Sequence, residues 1–152
     1  MNFRLELKLK LQIMVLFISG NGNISWSDFR LHYEAPILAI LAQNPEAEFL
    51  VGDFRGVDVL TMELLKTLTP NVRVFHVGEK PRYMPDAFKT FVPKWWKVGG
   101  FKNDQERDAS AIETCTHFLG IDFNSDENRI SGTQKNIDKC LQMGKVAIRR
   151  MA

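Results

Sequence analysis

Residues 49–58, FLVGDFRGVD, read as the end of a strand, a glycine turn and the start of a helix. The apolar run Phe49-Leu50-Val51 stops at Gly52-Asp53, and Gly56 follows. Val57, Leu60, Leu64, Leu65 and Leu68 then recur at helical spacing. Such a turn leaves backbone N–H groups unpaired at a helix N-terminus, where the donors and the helix dipole favour an anion. A tight βα turn with glycines for geometry alone fits the same residues. Two further stretches, 17–24 and 130–137, also set a glycine turn ahead of a helical pattern. Three such turns on one sheet point to a site more strongly than any one of them.

Working outward, Met14 to Ile18 is a continuous apolar block of the kind found in a central parallel strand. Ser19-Gly20-Asn21-Gly22-Asn23 follows, and Ser25 is placed to cap a helix from Trp26 to about Ala42. Phe29, Tyr33, Ile37, Leu38 and Leu41 would face inward, His32 would lie on the surface, and Pro36 predicts a kink or break near Tyr33 to Ala35. Val72 to Val77 is a third strand, which completes a βαβαβ half-unit. Lys102 to Glu113 is a helix, Cys115 to Phe123 a fourth strand, and Asn124 to Arg129 a polar loop. The last helix opens at Ser131-Gly132-Thr133, with Ile137, Cys140 and Leu141 inward and Gly144 as its stop, and Lys145 to Arg149 is the last strand. The expected fold is α/β: a Rossmann-like doubly wound sheet of about five parallel strands with helices on both faces.

Two segments stand outside this pattern. Residues 3–13, FRLELKLKLQI, alternate apolar and polar as a half-buried strand does. An extra edge strand, an arm pairing with another subunit, and a leader upstream of a start at Met14 all fit; a secretory leader fits less well, because the apolar block is short. Residues 14–152 then form a single domain. Residues 78–100 carry three prolines with Tyr83, Phe88, Phe91, Trp95 and Trp96 among basic residues. They read either as a flap over a ligand or as a surface excursion that buries its own aromatics.

The 152 residues suffice for one core, and the net charge of +2 is accounted for by Arg4, Lys8 and Lys10 against Glu6. No basic footprint for nucleic acid stands out, and no apolar run approaches a membrane span. Cys115 and Cys140 lack metal spacing and read as buried thiols of a reducing, cytoplasmic compartment. No His/Cys/carboxylate cluster has metal spacing, and no cofactor is required by any motif. His76 and His117 fall on strands and read as core or edge histidines.

In an open α/β sheet the ligand crevice lies beyond the C-terminal ends of the strands, where the strand order reverses. The first and fourth strands should flank that point. An anion then falls on the helix start at Gly132-Thr133, with the Thr133 hydroxyl as a further donor. The string GNGN at 20–23 is no dinucleotide fingerprint, because the third glycine would fall at Ser25.

Taken together, these motifs resemble the SLOG superfamily, which joins the lysine-decarboxylase-like nucleotide phosphoribohydrolases, the DprA proteins and relatives of the nucleoside deoxyribosyltransferases. The likeness is to its small YspA-like members and covers about residues 14–149. Ser19, Gly20, Asn21 and Gly22 match a G-S-R-type turn. Gly52, Asp53, Phe54, Arg55, Gly56, Val57 and Asp58 match G-D-A-x-G-x-D. Arg107-Asp108 matches an R-D pair, and Ser131, Gly132, Thr133 and Asn136 match S-K-G-T-x-x-N-I with one residue fewer. The resemblance implies a small-molecule nucleotide, nucleoside or related phosphorylated ligand, and often a homodimer.

One departure separates binding from turnover. The deoxyribosyltransferase and phosphoribohydrolase relatives place a glutamate where this chain has Asn136. An amide can hydrogen-bond a ribose hydroxyl but cannot attack an anomeric carbon. Either the protein binds without turnover, as a sensor or binding module, or Asp53, Asp58 or Asp108 supplies the acid of an N-glycosidic hydrolase or transferase, with Asp58 and Asp108 the catalytic candidates. Asp58 as a first-turn helix cap, and Arg107-Asp108 as a solvated helix face, are the structural alternatives.

Overall fold

The computed structural model describes residues 13–149. The sequence reading of residues 3–12 as a strand or arm lies outside them. Six strands form one sheet: β1 (Val15–Ser19), β2 (Glu48–Val51), β3 (Val72–Val77), β4 (Trp96–Phe101), β5 (His117–Gly120) and β6 (Val146–Ala147). Their order is β4-β3-β2-β1-β5-β6, with every neighbouring pair parallel. The helices are α1 (Trp26–Phe29, a π-helical turn Arg30–Glu34, then Ala35–Gln43), α2 (Val57–Leu65), α3 (Asp104–Thr114) and α4 (Gly132–Gln142).

Alternation along β1 divides the core. Leu16 and Ile18 join Phe29, Tyr33, Ile37, Val57 and Met62 under α1 and α2. Phe17 joins Leu50, Phe75, Ile112 and Cys140 under α3 and α4. The fold is therefore the doubly wound α/β arrangement expected. Among the described residues no helix is long and apolar enough to cross a membrane.

Several local readings need correction. The segment 78–100 is no mere loop: its end forms β4, an edge strand paired with β3 from Arg73↔Trp96 to Val77↔Phe101. The prolines and glycines around β4 masked its strand pattern. Trp95 is buried, with its indole N–H donating to the Thr69 carbonyl at 3.0 Å, while Trp96 and Phe88 are exposed.

The disturbance that Pro36 predicts near Tyr33 to Ala35 takes the form of a π turn, Arg30–Glu34, which interrupts the α-helical pattern. The Ala35 N–H reaches back five residues to the Arg30 carbonyl. The wider turn inserts one residue where the proline ring would otherwise press on the preceding turn. That insertion changes the helical register, so Ile40 is buried instead of Leu38, and His32 turns inward against Phe123 at 5.4 Å between ring centroids.

Leu68, counted in the helical spacing, and Leu141, expected inward, are both exposed. The first lies beyond the end of α2 at Leu65. On α4 the inward stripe is carried by Thr133, Ile137 and Cys140. Cys115 is the C-cap of α3 rather than a strand residue.

Candidate functional site

β1 and β5 are neighbours, but their following loops diverge to α1 and α4. Between these loops, and bounded by the turn after β2, lies a cleft of about 460 Å³. Ser19, Gly20, Asn21 and Gly22 line it from the first loop, Arg55 and Asp58 from the second, Arg107 and Asp108 from α3, and Ser131, Gly132, Thr133 and Asn136 from α4. Twelve of the fifteen residues singled out in the sequence thus converge on one space.

Gly52, Asp53 and Gly56 do not line it. Gly56 takes φ +76°, and a Cβ there would stand 2.4 Å from the Asn21 carbonyl oxygen; it lets the second loop close on the first. A Cβ on Gly52 would lie 2.6 Å from Asp58 Oδ2 and 2.9 Å from Arg107 Cζ, so its bare backbone makes room for both side chains.

Asp53 is buried beneath the cleft and held by two arginines. Arg107 Nη1 donates to its Oδ1 at 3.0 Å; Arg82 donates from Nη2 to Oδ1 at 2.7 Å and from Nε and its backbone N–H to Oδ2, each at 3.0 Å. Burial pushes this carboxyl up, but the Arg82 and Arg107 hydrogen bonds outweigh it and hold it down to about 2. Asp53 is thus an anchor of the site rather than an open ligand group.

Arg107 is itself buried, and it also donates to Asp104 Oδ1 at 2.8 Å and to Asp108 Oδ1 at 2.8 Å and 3.0 Å. Arg82 pairs with Asp104 as well. Arg107-Asp108 is therefore no solvated face. It begins a network that continues to α4 and β1: Asn136 Nδ2 donates to Asp108 Oδ2 at 2.9 Å and to Ser19 Oγ at 3.0 Å.

Asp58 lies in the first turn of α2 and lines the cleft. Its Oδ2 accepts the Phe54 N–H at 3.0 Å, within the turn that begins α2. The residue is only 7 % exposed. Burial pushes its carboxyl up to about 7, against the pull of Arg107 and the Phe54 N–H, while the Asp108 and Asp53 charges add to the rise. A carboxyl with this affinity exchanges its proton near neutrality.

The start of α4 is tightly built. Ser131 Oγ caps the Gln134 N–H at 3.0 Å and donates to Asp122 Oδ1 at 2.7 Å. Helix geometry leaves the Gly132 and Thr133 amides without intrahelical acceptors. Asn21 stitches the two loops together: its Nδ2 donates to Thr133 Oγ1 at 3.2 Å, and its Oδ1 accepts the Phe123 N–H at 2.9 Å. Beneath them the Tyr33 hydroxyl, directed by the π turn, donates to the Ser19 carbonyl at 2.8 Å and accepts the Ile121 N–H at 3.0 Å. Burial pushes its phenol well above the usual range, so it stays protonated.

Sequence reading missed Asn23, Phe54, Asp104, Asn124 and Arg129, which also line the cleft, and Arg82, which braces it. Asn23 and Phe54 adjoin residues already singled out. Asn124 opens the loop after the fourth expected strand, which flanks the crevice; its Nδ2 meets Asn23 Oδ1 at 2.9 Å across 101 residues of chain. Among the described residues no group of three or more His, Cys, Asp or Glu side chains could hold a metal ion.

Comparison with protein-family models, curated proteins and solved structures finds no match to this chain. The functional reading therefore stands on the geometry above.

Proposed function

We propose that this chain is a nucleotide-type binding or sensing module whose ligand, a nucleotide, nucleoside or related phosphorylated small molecule, occupies the cleft at the C-terminal ends of β1, β2 and β5. The observation that carries the reading is the convergence of the turns after β1 and β2 and of the α4 start on one cleft where the strand order reverses. The free Gly132 and Thr133 amides suit a phosphate or carboxylate, and the Asp108–Asn136 pair suits sugar hydroxyls.

Asn136 favours binding over turnover. Its amide donates to Asp108 and Ser19 at once. A glutamate in its place would bring a second carboxylate against Asp108, and one of the two would have to take up a proton. SLOG membership, a homodimer and a cytoplasmic setting belong to the same proposal.

The position of Asp58 supports a second reading, cleavage or transfer at an N-glycosidic bond. Its carboxyl, near 7 and on the cleft, can give a proton to a departing base, while Asp108 stands ready to offset positive charge developing on the sugar.

A thermal-shift screen against nucleosides, their mono-, di- and triphosphates, NAD, ADP-ribose and cyclic nucleotides separates the readings, with chromatography for released base. A ligand at 100 times its Kd stabilises by about 2.7 kcal/mol. Stabilisation without base release is expected. Base release that disappears in Asp58→Asn would establish the second reading, and no stabilisation by any ligand would refute both.

A further inference from the structure

Two thiols meet at the end of the α3–α4 pair that lies away from the cleft. Cys115 and Cys140 are the two cysteines of the chain, and both are free. Each is only 1 % exposed, in the cluster that holds Phe17, Leu50 and Ile112. Cys115 is the C-cap of α3, and Cys140 lies in the last turn of α4. The Cys140 thiol donates to Cys115 Sγ, and the Cys115 thiol donates in turn to the Ile112 carbonyl at 3.3 Å.

A cation is held against this pair. Gly144, at φ +74°, ends α4 in a reversal: its N–H donates to the Leu141 carbonyl at 3.1 Å, and the Lys145 N–H donates to the Cys140 carbonyl at 2.9 Å. The reversal sends the Lys145 side chain to the end of α3, where Nζ donates to the Cys115 carbonyl at 2.7 Å and to the Glu113 carbonyl at 3.3 Å. One lysine is thus bonded to the backbones of both cysteines. The hydrogen bond from Cys140 holds the Cys115 thiol below its usual range against burial, with the Lys145 ammonium adding to the fall. The same bond, together with burial, raises the Cys140 thiol. Cys115 is therefore the nucleophile of the pair and Cys140 its partner. Filling a core requires neither a contact between two thiols nor a lysine anchored beside them.

We infer that Cys115 and Cys140 form a redox-active dithiol, which a small two-electron oxidant of the peroxide class closes to an intramolecular disulfide. The Cys115 thiolate attacks one oxygen of hydrogen peroxide, the O–O bond breaks, and the departing hydroxide takes up the proton that Cys115 released and leaves as water. Cys115 is then a sulfenic acid. The Cys140 sulfur attacks the Cys115 sulfur, the S–O bond breaks, and a second water leaves with the Cys140 proton. Two thiols are oxidised and one peroxide is reduced to two waters. Burial closes both sulfurs to a protein oxidant and leaves a water-sized one. Asp108 lies two turns before Cys115 on α3, and Asn136 one turn before Cys140 on α4, so the disulfide ties together the helix pair that carries the Asp108–Asn136 hydrogen bond. The inference does not rest on the function proposed for the cleft.

The test is oxidation of the full, folded chain by hydrogen peroxide, followed by thiol counting after denaturation and by non-reducing peptide mapping with mass spectrometry, which separates cysteine oxidation from methionine oxidation. Cys115→Ser and Cys140→Ser are treated in parallel with dimedone present to trap a sulfenic acid. In the parent protein both thiols should be lost together, a Cys115–Cys140 cross-linked peptide of a single chain should form, and dithiothreitol should restore both thiols. Cys140→Ser, without its resolving thiol, should give the dimedone adduct at Cys115, and Cys115→Ser should keep its thiol under the same treatment. The parent protein decides the proposal whether or not either variant folds. Thiols that survive in the folded chain and react only in urea would overturn it and leave the pair as inert core. Oxygen added to a cysteine without a cross-link, or a disulfide between two chains, would overturn it as well. A dimedone adduct at Cys140 in Cys115→Ser, with Cys115 unreactive in Cys140→Ser, would overturn the assignment of Cys115 as the attacking thiol.

Discussion

Replacing Asp58 by Asn should change how stability depends on pH, and the direction is unusual for an aspartate. The ordinary value is 3.8, and burial raises it to about 7 in the fold. The folded state therefore holds a proton between these values that the unfolded chain has released. Stability contributed by the neutral carboxyl is complete below pH 3.8 and is lost as pH rises, the loss being complete once pH has passed about 7. At about 1.4 kcal/mol for each tenfold change in proton affinity, the ionised carboxylate costs the fold about 4 kcal/mol at pH 8. About 3 kcal/mol of that loss falls between pH 5 and pH 8.

Asn at this position keeps an oxygen to accept the Phe54 N–H and carries no charge to desolvate. Urea titrations of both proteins at pH 5 and pH 8 measure the difference. With a slope of about 2 kcal/mol per molar, the midpoint of the variant should gain on the parent by about 1.5 M between the two pH values. Parallel pH dependence in the two proteins would refute the reasoning, since it would mean that Asp58 is ionised at neutral pH without cost. It would also remove the proton donor on which the N-glycosidic reading depends.

Three further outcomes follow from the same network. Asp53 behaves in the opposite sense: its folded value of about 2 lies below 3.8, so its stabilisation of about 2 kcal/mol is present above pH 4 and lost as pH falls towards 2. Asp53→Asn should flatten that part of an acid-denaturation profile followed by circular dichroism. Arg107→Met leaves Asp104 and Asp53 to Arg82 alone and Asp108 to Asn136, and should cost about 3–5 kcal/mol in chemical denaturation. A loss under 1 kcal/mol would show that the network is replaceable. Gly56→Ala forces a side chain onto φ +76° and towards the Asn21 carbonyl, and should cost about 1–3 kcal/mol in thermal or urea melts and weaken ligand binding by displacing Arg55.

Elements whose signal is local could be read from the chain alone. Phe49 to Val51 followed by glycines and a helical stripe predicts β2, its turn and α2, because side-chain periodicity and glycine's conformational range act within a few residues. The same holds for the Ser131 cap of α4 and for the placing of Ser19 to Gly22, Arg55 and Thr133 at strand ends. The π turn at Arg30–Glu34 was only half legible: Pro36 announced a disturbance, but its form depends on what α1 packs against.

What the tertiary structure alone decided is where the charges meet and what they do to one another. Arg82 lies 29 residues from Asp53, inside a segment whose prolines and aromatics concealed both its ion pairs and β4. Asn136 and Ser19 are 117 residues apart in the chain, yet their side chains bond. Asp53 and Asp58 are the same residue type within a single turn, and one is held near 2 while the other is raised to about 7. Sequence specifies which groups are available. Burial and distance, which only packing sets, decide which carboxylate anchors the arginines and which is left to exchange a proton with the cleft.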